Sequence, residues 1–321
     1  MTTEEVYKQS LEYFQGDDMA ANVFTQKYAL RDSNGEFLEA TPEDSHRRIA
    51  KEYARIEKKY GGKHQMSEER IFKLFDHFKY IIPGGSVLSS LGKNNGSVES
   101  LSNCFVIGRF GDSYASIMKY RDYMVELEKR RGGVGLDISN LRPEGTKVNN
   151  AALTSTGPVS FLNGFSELSK EVAQGGRRGA LMISMHGNHP DVIEFINSKQ
   201  DLTKVTGANI SVQFTDEFMK AVENDSEFIL RWPVDTKVED IPGVENLPMN
   251  EKVWLNDSRL CVKRMKARDI WNTFIHCSWN TGEPGMLFVD RHHDYSPDSV
   301  YDDYQGVTTN PCGTISQFCL T

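Results

Sequence analysis

The sequence predicts a helical N-terminal region followed by an α/β body in which parallel strands alternate with helices. Up to about residue 95, apolar residues recur at helical spacing between turn-forming glycines and prolines. From residue 101 onward, short apolar runs alternate with amphipathic stretches, as in strands joined by crossover helices. We therefore expect a helical domain over residues 1–95 and an α/β domain over residues 96–321.

Two helices are clearly punctuated in the N-terminal region. The first is expected to begin at Pro42, with Thr41 as its N-cap, and to end at Gly61 after a basic last turn. The second is expected to begin after Ser67. Its apolar face consists of Ile71, Leu74, Phe75 and Phe78.

Strand-like and helix-like segments alternate in the remainder of the chain. Mostly buried strands are predicted at residues 104–108, 134–139, 180–185, 209–214 and 286–290. Amphipathic helices are predicted between and around them, at residues 112–133, 158–176, 189–199, 215–225 and 267–282. Residues 232–260 contain three prolines and little apolar periodicity, so this segment is expected to be an excursion on the surface.

Composition and charge narrow the class of protein. Hydrophobic residues make up 38% and charged residues 26% of the chain, as in globular proteins. The 45 acidic and 37 basic residues give a net charge of −8 without an evident basic patch, so nucleic acid is not an expected partner. No apolar stretch approaches the roughly 18 residues of a membrane span. The acidic N-terminus is unlike a signal peptide, so a cytoplasmic location without membrane attachment is expected.

The histidines do not form a recognisable metal motif. Two pairs are close in sequence, His186 with His189 and His292 with His293. Neither pair is accompanied by carboxylates or cysteines at ligand spacing. We interpret them as turn and helix-start residues, and no metal site is predicted.

The five cysteines are too few and too scattered for a disulfide scaffold. Cys261 and Cys277 lie in or beside amphipathic patterns, where a buried, inert thiol is expected. Cys104 begins a predicted strand, and Cys312 occupies an Asn-Pro-Cys-Gly turn, where packing gives no reason for a sulfur atom. On spacing alone, a reactive and an unreactive role for Cys312 both remain open.

Two glycine-rich segments bring glycines beside arginines at the junction of a helix and a strand. They are RRGGVGLD at residues 130–137 and QGGRRGAL at residues 174–181. Backbone N–H groups at such junctions can approach an anion closely. A tight turn with solvated arginines explains the same pattern, and neither segment matches a Walker loop or the dinucleotide fingerprint. Both interpretations remain open from the pattern alone.

Several segments together resemble one known family. In chain order they are IIPGGSVLSSLG, SLSNCFVIG, RRGGVGLDISNLRPEG, NNAALTSTGPVSFL, EVAQGGRRGALMISM, HPDVIEFI and TTNPCG. This series resembles the large, catalytic subunit of ribonucleotide reductases of the aerobic and cobalamin-dependent kinds, from about residue 10 to Gly313. The resemblance implies a ten-stranded α/β barrel of two five-stranded halves with a finger loop through its centre. Residues 96–321 would form the first half, ending at the finger loop.

The resemblance implies that ribonucleotides are reduced by a thiyl radical. Cys312 matches the radical cysteine, which removes the 3′ hydrogen of the ribose, and Asn310 matches the asparagine that binds substrate hydroxyls. Cys104 matches one of two cysteines that form a disulfide as the 2′ position is reduced. Asn103, Cys104 and the backbone of Gly133 match positions that hold the substrate. The radical source would be a partner dimetal subunit or adenosylcobalamin.

The resemblance also implies a deoxynucleoside triphosphate effector, with Mg²⁺, at the end of a four-helix bundle between two protomers. Segments 114–130 and 158–173 would supply the helices of this homodimer. One of the glycine-rich segments would relay effector identity to substrate choice. The matching effector-site residues are Asp112, Arg142, Gln174 and Arg178.

Two features depart from the family pattern. Thr314 stands where the family has a glutamate that takes part in proton transfer, and a threonine hydroxyl is not a base near neutral pH. The resemblance ends at Gly313, so we expect the N-terminal part of a split or truncated subunit that needs a C-terminal complementary chain. Cys319 is a candidate for the second reducing cysteine. The alternative is an inactive remnant or regulatory module that binds deoxynucleotides and dimerises.

Overall fold

The computed structural model describes residues 1–94, 97–172, 179–301 and 308–317. The chain divides into two compact units, Met1–Asn103 and Cys104–Thr321. The first is helical and the second is α/β. In the described part of the chain, no helix is both long enough and apolar enough to cross a membrane.

The first unit confirms the predicted starts of the two helices, but the second helix ends at Phe75, so Phe78 of its predicted apolar face lies in a following 3₁₀ turn with a positive φ. Thr41 and Asp44 form a capping box at the start of the longest helix, and the Ser67 side chain caps the next one by accepting a hydrogen bond from Arg70 N. The helices are α1 Thr3–Tyr13, α2 Asp18–Val23, α3 Pro42–Tyr60, α4 Glu68–Phe75 and α5 Gly85–Ser90. Their core includes Ile49, Ala50, Ile71, Phe72, Phe75 and Leu88.

The second unit contains all the strands of the described chain. They are β1 Cys104–Val106, β2 Gly133–Asp137, β3 Leu181–His186, β4 Asn209–Phe214, β5 Glu227–Trp232, β6 Lys252–Leu255, β7 Leu260–Lys266, β8 Gly285–Phe288, β9 Thr308–Thr309 and β10 Ser316–Gln317. Its helices are α6 Tyr114–Glu128, α7 Leu162–Glu171, α8 Val192–Asn197, α9 Asp216–Glu223, α10 Ala267–Thr281 and α11 Val289–Tyr295.

The main sheet has five parallel strands in the order β1-β2-β3-β4-β8. All five were predicted from apolar runs, which are typical of parallel strands. Crossover helices connect them, as the alternation of patterns indicated.

The segment 232–260 lies mostly at the surface, as predicted, with only Val234, Ile241 and Leu260 buried, but it contains a strand that the sequence did not indicate. Strand β6 lies in this segment and pairs with β7, which also pairs with β5 in a three-stranded antiparallel sheet. The prolines that suggested irregular structure lie outside the strands, at Pro233, Pro242 and Pro248. Strand β6 has only 4 residues, which is too few to show a clear period of two.

The parallel sheet has one apolar and one polar face. On the apolar face, residues of the inner strands form a core with α6, α7, α8 and α10. These strand residues include Val134, Leu136, Ile183, Val212 and Phe214. The alternate residues of the same strands are small or polar and belong to the other face. They include Gly133, Gly135, Asp137, Ser184 and Gln213. The hairpin that carries Cys312 packs against this second, polar face.

Candidate active site and nucleotide pocket

A short hairpin at residues 308–317 carries Cys312 at its turn. Strands β9 and β10 pair antiparallel, and Gly313 N donates to Asn310 O across the turn. Gly313 has a φ of 68°, a left-handed conformation that favours glycine. The Cys312 side chain is therefore held at the exposed tip of a tight turn.

The hairpin lies against the polar face of the parallel sheet. Thr308 and Thr309 are buried there, and the Thr308 hydroxyl lies 2.6 Å from the Ser184 hydroxyl. A Cβ atom on Gly135 would lie only 1.9 Å from the carbonyl oxygen of Thr309. A glycine at position 135 is thus required for the hairpin to cross β2 at this point.

A buried polar network under the hairpin fixes its base. Gln213 Nε2 donates both to Ser184 Oγ, at 2.8 Å, and to Asp137 Oδ2, at 3.0 Å. Arg109 Nε also donates to Asp137 Oδ2, at 2.8 Å. Burial alone would raise the pKa of Asp137, but Arg109 and hydrogen bonds from Ser139 outweigh it, so the pKa lies below its ordinary value. The carboxylate is therefore ionised and fully engaged.

Two thiols meet at the tip of the hairpin. The sulfur atoms of Cys104 and Cys312 are 3.6 Å apart, although the residues are 208 positions apart in sequence. Cys104 begins β1 and is in register with Gly133 of β2, against which Pro311 packs. The sheet register and the hairpin crossing together bring the two cysteines into contact.

The thiols of Cys261 and Cys277 are buried elsewhere, as predicted. Burial raises the pKa of Cys261 to about 12 and also raises that of Cys277. Since the thiolate is the reactive form, burial and a raised pKa both disfavour reaction at these two thiols.

Asn310 organises the turn that carries Cys312. Its Oδ1 accepts hydrogen bonds from the backbone N–H groups of Thr314, at 2.9 Å, and Ile315, at 3.1 Å. Its Nδ2 donates to the Thr314 hydroxyl at 3.1 Å. Thr314, where the resemblance implies a glutamate, is thus a partner of Asn310, and no carboxylate stands two residues after Cys312.

The other residues matched to substrate binding lie in different settings. Gly133 is buried on β2, where its missing side chain makes room for Pro311. Asn103 ends the first unit, and its Oδ1 accepts a hydrogen bond from Ser86 N at 2.9 Å. Cys319 lies outside the described residues. Its relation to Cys104 and Cys312 is therefore left as a prediction.

A separate pocket of about 250 Å³ lies at the N-terminus of α6. The N-cap residue Ser113 and the first helical residue Tyr114 form one wall, and the loop around residues 148–156 forms another. Helix N-termini favour anions because their backbone N–H groups are unpaired and the helix dipole is positive there. The lining residues further include Asp112, Ile117, Leu141, Arg142 and Phe161.

Arg142 and Asp112, both predicted site residues, meet in this pocket. Arg142 donates to both oxygens of the Asp112 carboxylate, through its backbone N at 3.0 Å and its Nε at 2.5 Å. Its two terminal nitrogens face the carbonyl oxygens of Lys147 and Asp112, at 3.3 and 3.4 Å. The guanidinium is therefore fixed in orientation at the pocket wall.

The antiparallel sheet supports the loop that lines the pocket. Trp254 Nε1 donates to Thr146 Oγ1 at 3.2 Å, and its ring lies against Gly145. Lys252 forms an ion pair with the buried Asp191, whose Oδ2 accepts from Glu144 N at 2.8 Å. Sequence reasoning missed Lys252 and Trp254 because strand β6, which carries both, was not recognised.

Glu128, at the end of α6, is a second residue that the sequence did not indicate. It is fully buried, its Oε1 accepts from Ser169 of α7 at 2.9 Å, and its Oε2 has no hydrogen-bond partner among the described residues. Burial raises the pKa of Glu128 to about 7. Gly179 packs directly on this carboxyl group. The predicted loop residues Gln174 and Arg178 lie outside the described residues.

The predicted bundle segments are helical, with different boundaries. Helix α6 ends at Glu128, and segment 158–173 begins as a 3₁₀ turn at Pro158–Phe161 before α7.

The histidine pair in HGNH has a local structural role, as predicted. His186 Nδ1 accepts a hydrogen bond from Asn188 N, and His189 Nδ1 accepts one from Asp191 N. Each ring therefore stabilises a turn by binding the backbone N–H two residues later in the chain. Burial lowers the pKa of His186 to about 3 and also lowers that of His189. Within the described ranges, no group of three or more His, Cys, Asp or Glu residues is arranged to hold a metal ion.

A signal for the polar face was present in the sequence. In LMISMH and NISVQF, Ser184, His186, Ser211 and Gln213 alternate with apolar residues. Strands buried on both faces by apolar layers would not alternate in this way. The alternation therefore indicated a second, polar face.

Comparison with known proteins matches nearly the whole chain. Residues 14–96 match the sequence profile of the ribonucleotide reductase all-alpha domain, and residues 102–320 match that of the ribonucleotide reductase barrel domain. The chain is 35% identical to a vitamin B12-dependent ribonucleoside-diphosphate reductase of Thermoplasma acidophilum over 234 residues, which is 72% of this chain and 27% of that protein.

Two further relatives show the same partial coverage. A protein of the same description from Mycobacterium tuberculosis is 30% identical over 92% of this chain and 39% of its own length. The ribonucleoside-diphosphate reductase large subunit of Variola virus is 29% identical over 60% of this chain and 26% of its own length. The chain thus spans between about a quarter and two fifths of the length of these relatives.

Proposed function

Because the chain belongs to the ribonucleotide reductase family, we propose that it reduces ribonucleotides to deoxyribonucleotides as part of a complete barrel. The observation that carries this proposal is the contact between Cys104 and Cys312 at the tip of a hairpin fixed on the polar sheet face. The relatives act, by their names, on ribonucleoside diphosphates, so we infer the same substrate class. A cytoplasmic location is part of the proposal.

The roles of the residues follow from their chemistry. Cys312, as a thiyl radical, accepts the 3′ hydrogen atom of the ribose and later returns it, because S–H and C–H bonds of similar strength make the transfer reversible. Cys104 is one of two thiols whose oxidation to a disulfide supplies the two electrons that reduce the 2′ position, and Cys319 is a candidate for the other. Asn310 and Gly133, with Asn103, are proposed to hold the substrate.

The proposed radical source is adenosylcobalamin. Two relatives are described as vitamin B12-dependent, and the exposed Cys312 thiol is accessible to a group bound outside the hairpin. The cofactor would supply a radical that oxidises this thiol. The residues of the hairpin would orient the sulfur, and Asn310 would keep the turn rigid by its hydrogen bonds to Thr314 and Ile315.

The pocket at the N-terminus of α6 is the proposed effector site. An arginine held by Asp112 and a helix N-terminus suit the phosphates of a deoxynucleoside triphosphate with Mg²⁺. Helices α6 and α7 contact each other and would form half of a four-helix bundle with a second copy. Exposed apolar residues of α6, namely Tyr114, Met118 and Tyr123, support this homodimer. Gln174 and Arg178 would link the effector to substrate choice.

We further propose that a second set of strands, in a complementary chain or segment, completes the barrel. The relatives are much longer than the part matched, and in the described chain neither β1 nor β8 has a strand on its outer side. Open edges of a parallel sheet carry unpaired backbone groups.

The test combines this chain with a completing segment, defined as the part of the Thermoplasma acidophilum relative that follows its matched region. The chain alone should not reduce ribonucleoside diphosphates. With the completing segment, adenosylcobalamin, a dithiol and a deoxynucleoside triphosphate, deoxynucleotide should form in the wild type and in Cys277→Ser, but not in Cys312→Ser. A stable complex of the two polypeptides without any product would contradict the proposal.

A second candidate function is a nucleotide-binding module without catalysis. Thr314 favours it, because no carboxylate lies two residues after Cys312 and general acid–base catalysis typically contributes about 10²- to 10⁴-fold. Titration calorimetry with the four deoxynucleoside triphosphates distinguishes the two functions. Binding that is lost in Arg142→Ala, without reduction in any complex, supports the module.

A further inference from the structure

We propose that Cys104 and Cys312 form a reversible disulfide under oxidising conditions, which withdraws the Cys312 thiol from chemistry. This bond differs from one formed between reducing cysteines during turnover, because turnover would leave Cys312 as a thiol. The bond itself is inferred from geometry, and only its effect on activity rests on the proposed function.

The two sulfur atoms are already close enough for exchange. They lie 3.6 Å apart, and a disulfide bond is about 2.05 Å long, so the sulfurs have to approach by only about 1.5 Å. A change of χ1 rotamer at either cysteine moves a sulfur atom further than this. The backbone of the sheet and the hairpin therefore need no large rearrangement.

The fold keeps the two cysteine backbones together. Cys104 is in register with Gly133, and Pro311, the neighbour of Cys312, packs on the glycine face at Gly133. The base of the hairpin is tied to the sheet through Thr308 and Ser184. The two thiols are therefore close together only in the folded chain, and unfolding would separate them.

Among the described cysteines, Cys104 and Cys312 are the pair that a soluble oxidant should reach first. Cys312 is exposed and Cys104 is half-buried, so a small oxidant reaches them. Cys261 and Cys277 are buried, and burial raises the pKa of both thiols. Because the thiolate is the attacking species, soluble oxidants should act first at the hairpin tip.

The reaction is balanced with a soluble disulfide, such as oxidised glutathione, as the oxidant. One protein thiolate attacks the soluble disulfide, forms a mixed disulfide and releases one thiolate. The second protein thiolate attacks the protein sulfur of the mixed disulfide, forms the Cys104–Cys312 bond and releases the other thiolate. Two electrons pass from the protein to the oxidant, and a dithiol reverses both steps.

The test uses the full chain incubated with oxidised glutathione, alkylated under denaturing conditions and digested with chymotrypsin. Cleavage after Phe318 separates Cys312 from Cys319, which a tryptic digest would leave in one peptide. We expect a peptide pair linked through Cys104 and Cys312, lost after dithiothreitol. The link should be absent in Cys104→Ser and Cys312→Ser and retained in Cys319→Ser and Cys277→Ser.

Two results would overturn the proposal. One is wild-type protein whose Cys312 remains fully alkylated after oxidation, and the other is a Cys104–Cys319 link formed in place of the expected one. In the completed barrel, oxidation should abolish nucleotide reduction and dithiothreitol should restore it. A linked peptide without reductase activity under any condition would support the disulfide and contradict only the proposed function.

Discussion

At the scale of single residues, the site depends on two glycines of β2 as much as on the two thiols. Gly133 and Gly135 alternate with apolar residues, so both lie on the polar face of the sheet. A side chain at either position would meet the hairpin, Pro311 in one case and Thr309 in the other. Two absent Cβ atoms therefore decide how closely the Cys312 turn approaches the sheet.

Replacing Gly135 by alanine should displace the hairpin. The new Cβ would lie 1.9 Å from the Thr309 carbonyl oxygen, and overpacking of this kind typically costs about 1–3 kcal/mol. We expect a lower free energy of unfolding in denaturant titrations and a lower yield of the Cys104–Cys312 link. The matched control is Gly111→Ala, whose new Cβ has its nearest neighbour, Ser116 Oγ, at 3.4 Å. Equal yields of the link in both variants would refute this account of Gly135.

At the scale of secondary-structure elements, two contacts hold the helices and the pocket loop in place. Helix α6 contacts α7 through a hydrogen bond from Ser169 to Glu128, and Gly179 packs against both side chains. The antiparallel sheet meets the pocket loop through Lys252, Asp191 and Trp254. Each contact includes a buried carboxyl group, Glu128 in the first and Asp191 in the second.

Glu128 should make the stability of the protein depend on pH. Its pKa is raised from 4.5 to about 7 in the folded chain, so the folded state binds more protons than the unfolded state between these values. Stability should therefore fall as the pH rises from about 4.5 through 7, by at most about 3 kcal/mol from this group. Glu128→Gln removes the ionisation and should be more stable than the wild type at pH 8 but not at pH 5.

The control for this prediction is Glu126→Gln on the same helix. Hydrogen bonds from Lys129 and Arg130 lower the pKa of Glu126, so it is ionised throughout this pH range. Chemical unfolding at pH 5 and pH 8 should give the same difference between this variant and the wild type. If Glu128→Gln keeps the full pH dependence of the wild type, another group is responsible.

Lys252 should matter for nucleotide binding although it lies outside the pocket. Lys252→Met leaves the buried Asp191 carboxylate without its cation, and breaking such a pair typically costs about 3–5 kcal/mol. The Glu144 backbone bound to Asp191 would shift with the pocket loop. We expect binding of deoxynucleoside triphosphates, measured by calorimetry, to weaken by about 10-fold or more.

Lys266→Met is the control, because Lys266 is exposed at the end of β7. It should leave binding unchanged. If both variants bind as the wild type does, the antiparallel sheet has no part in shaping the pocket.

At the scale of the whole molecule, the α/β unit has surfaces that suit a further set of strands. The outer edge strand β8 exposes Met286 and Phe288, by 39% and 41%. Apolar side chains on an open edge favour association. The proposed second half of the barrel would cover this edge as well as the polar face around the hairpin.

Binding of the completing segment should stabilise the chain. A partner that binds only the folded form raises the midpoint of thermal unfolding, in proportion to the logarithm of its concentration over Kd. The double variant Met286→Lys, Phe288→Lys should lose most of this increase, whereas Leu202→Lys, at another exposed apolar residue, should retain it. An unchanged increase in the double variant would show that β8 is not the contact edge.

The sequence by itself determined the local structure and the family. Helix caps at Thr41 and Ser67 and the five apolar strand runs depend on residues within a few positions of one another, so they can be read from the chain. The ordered family segments also predicted the site residues, although their proposed roles remain predictions. The strands of the antiparallel sheet were not predicted, although β5 and β7 are at least as long as the parallel strands.

Only the tertiary structure decided which of these residues meet. The 3.6 Å contact between Cys104 and Cys312, the buried network from Arg109 to Thr308, and the support of the pocket by Lys252 all join residues far apart in sequence. Such contacts depend on strand register and on the absence of side chains at Gly133 and Gly135. No local pattern specifies that geometry, because it arises only when the hairpin and the sheet pack together.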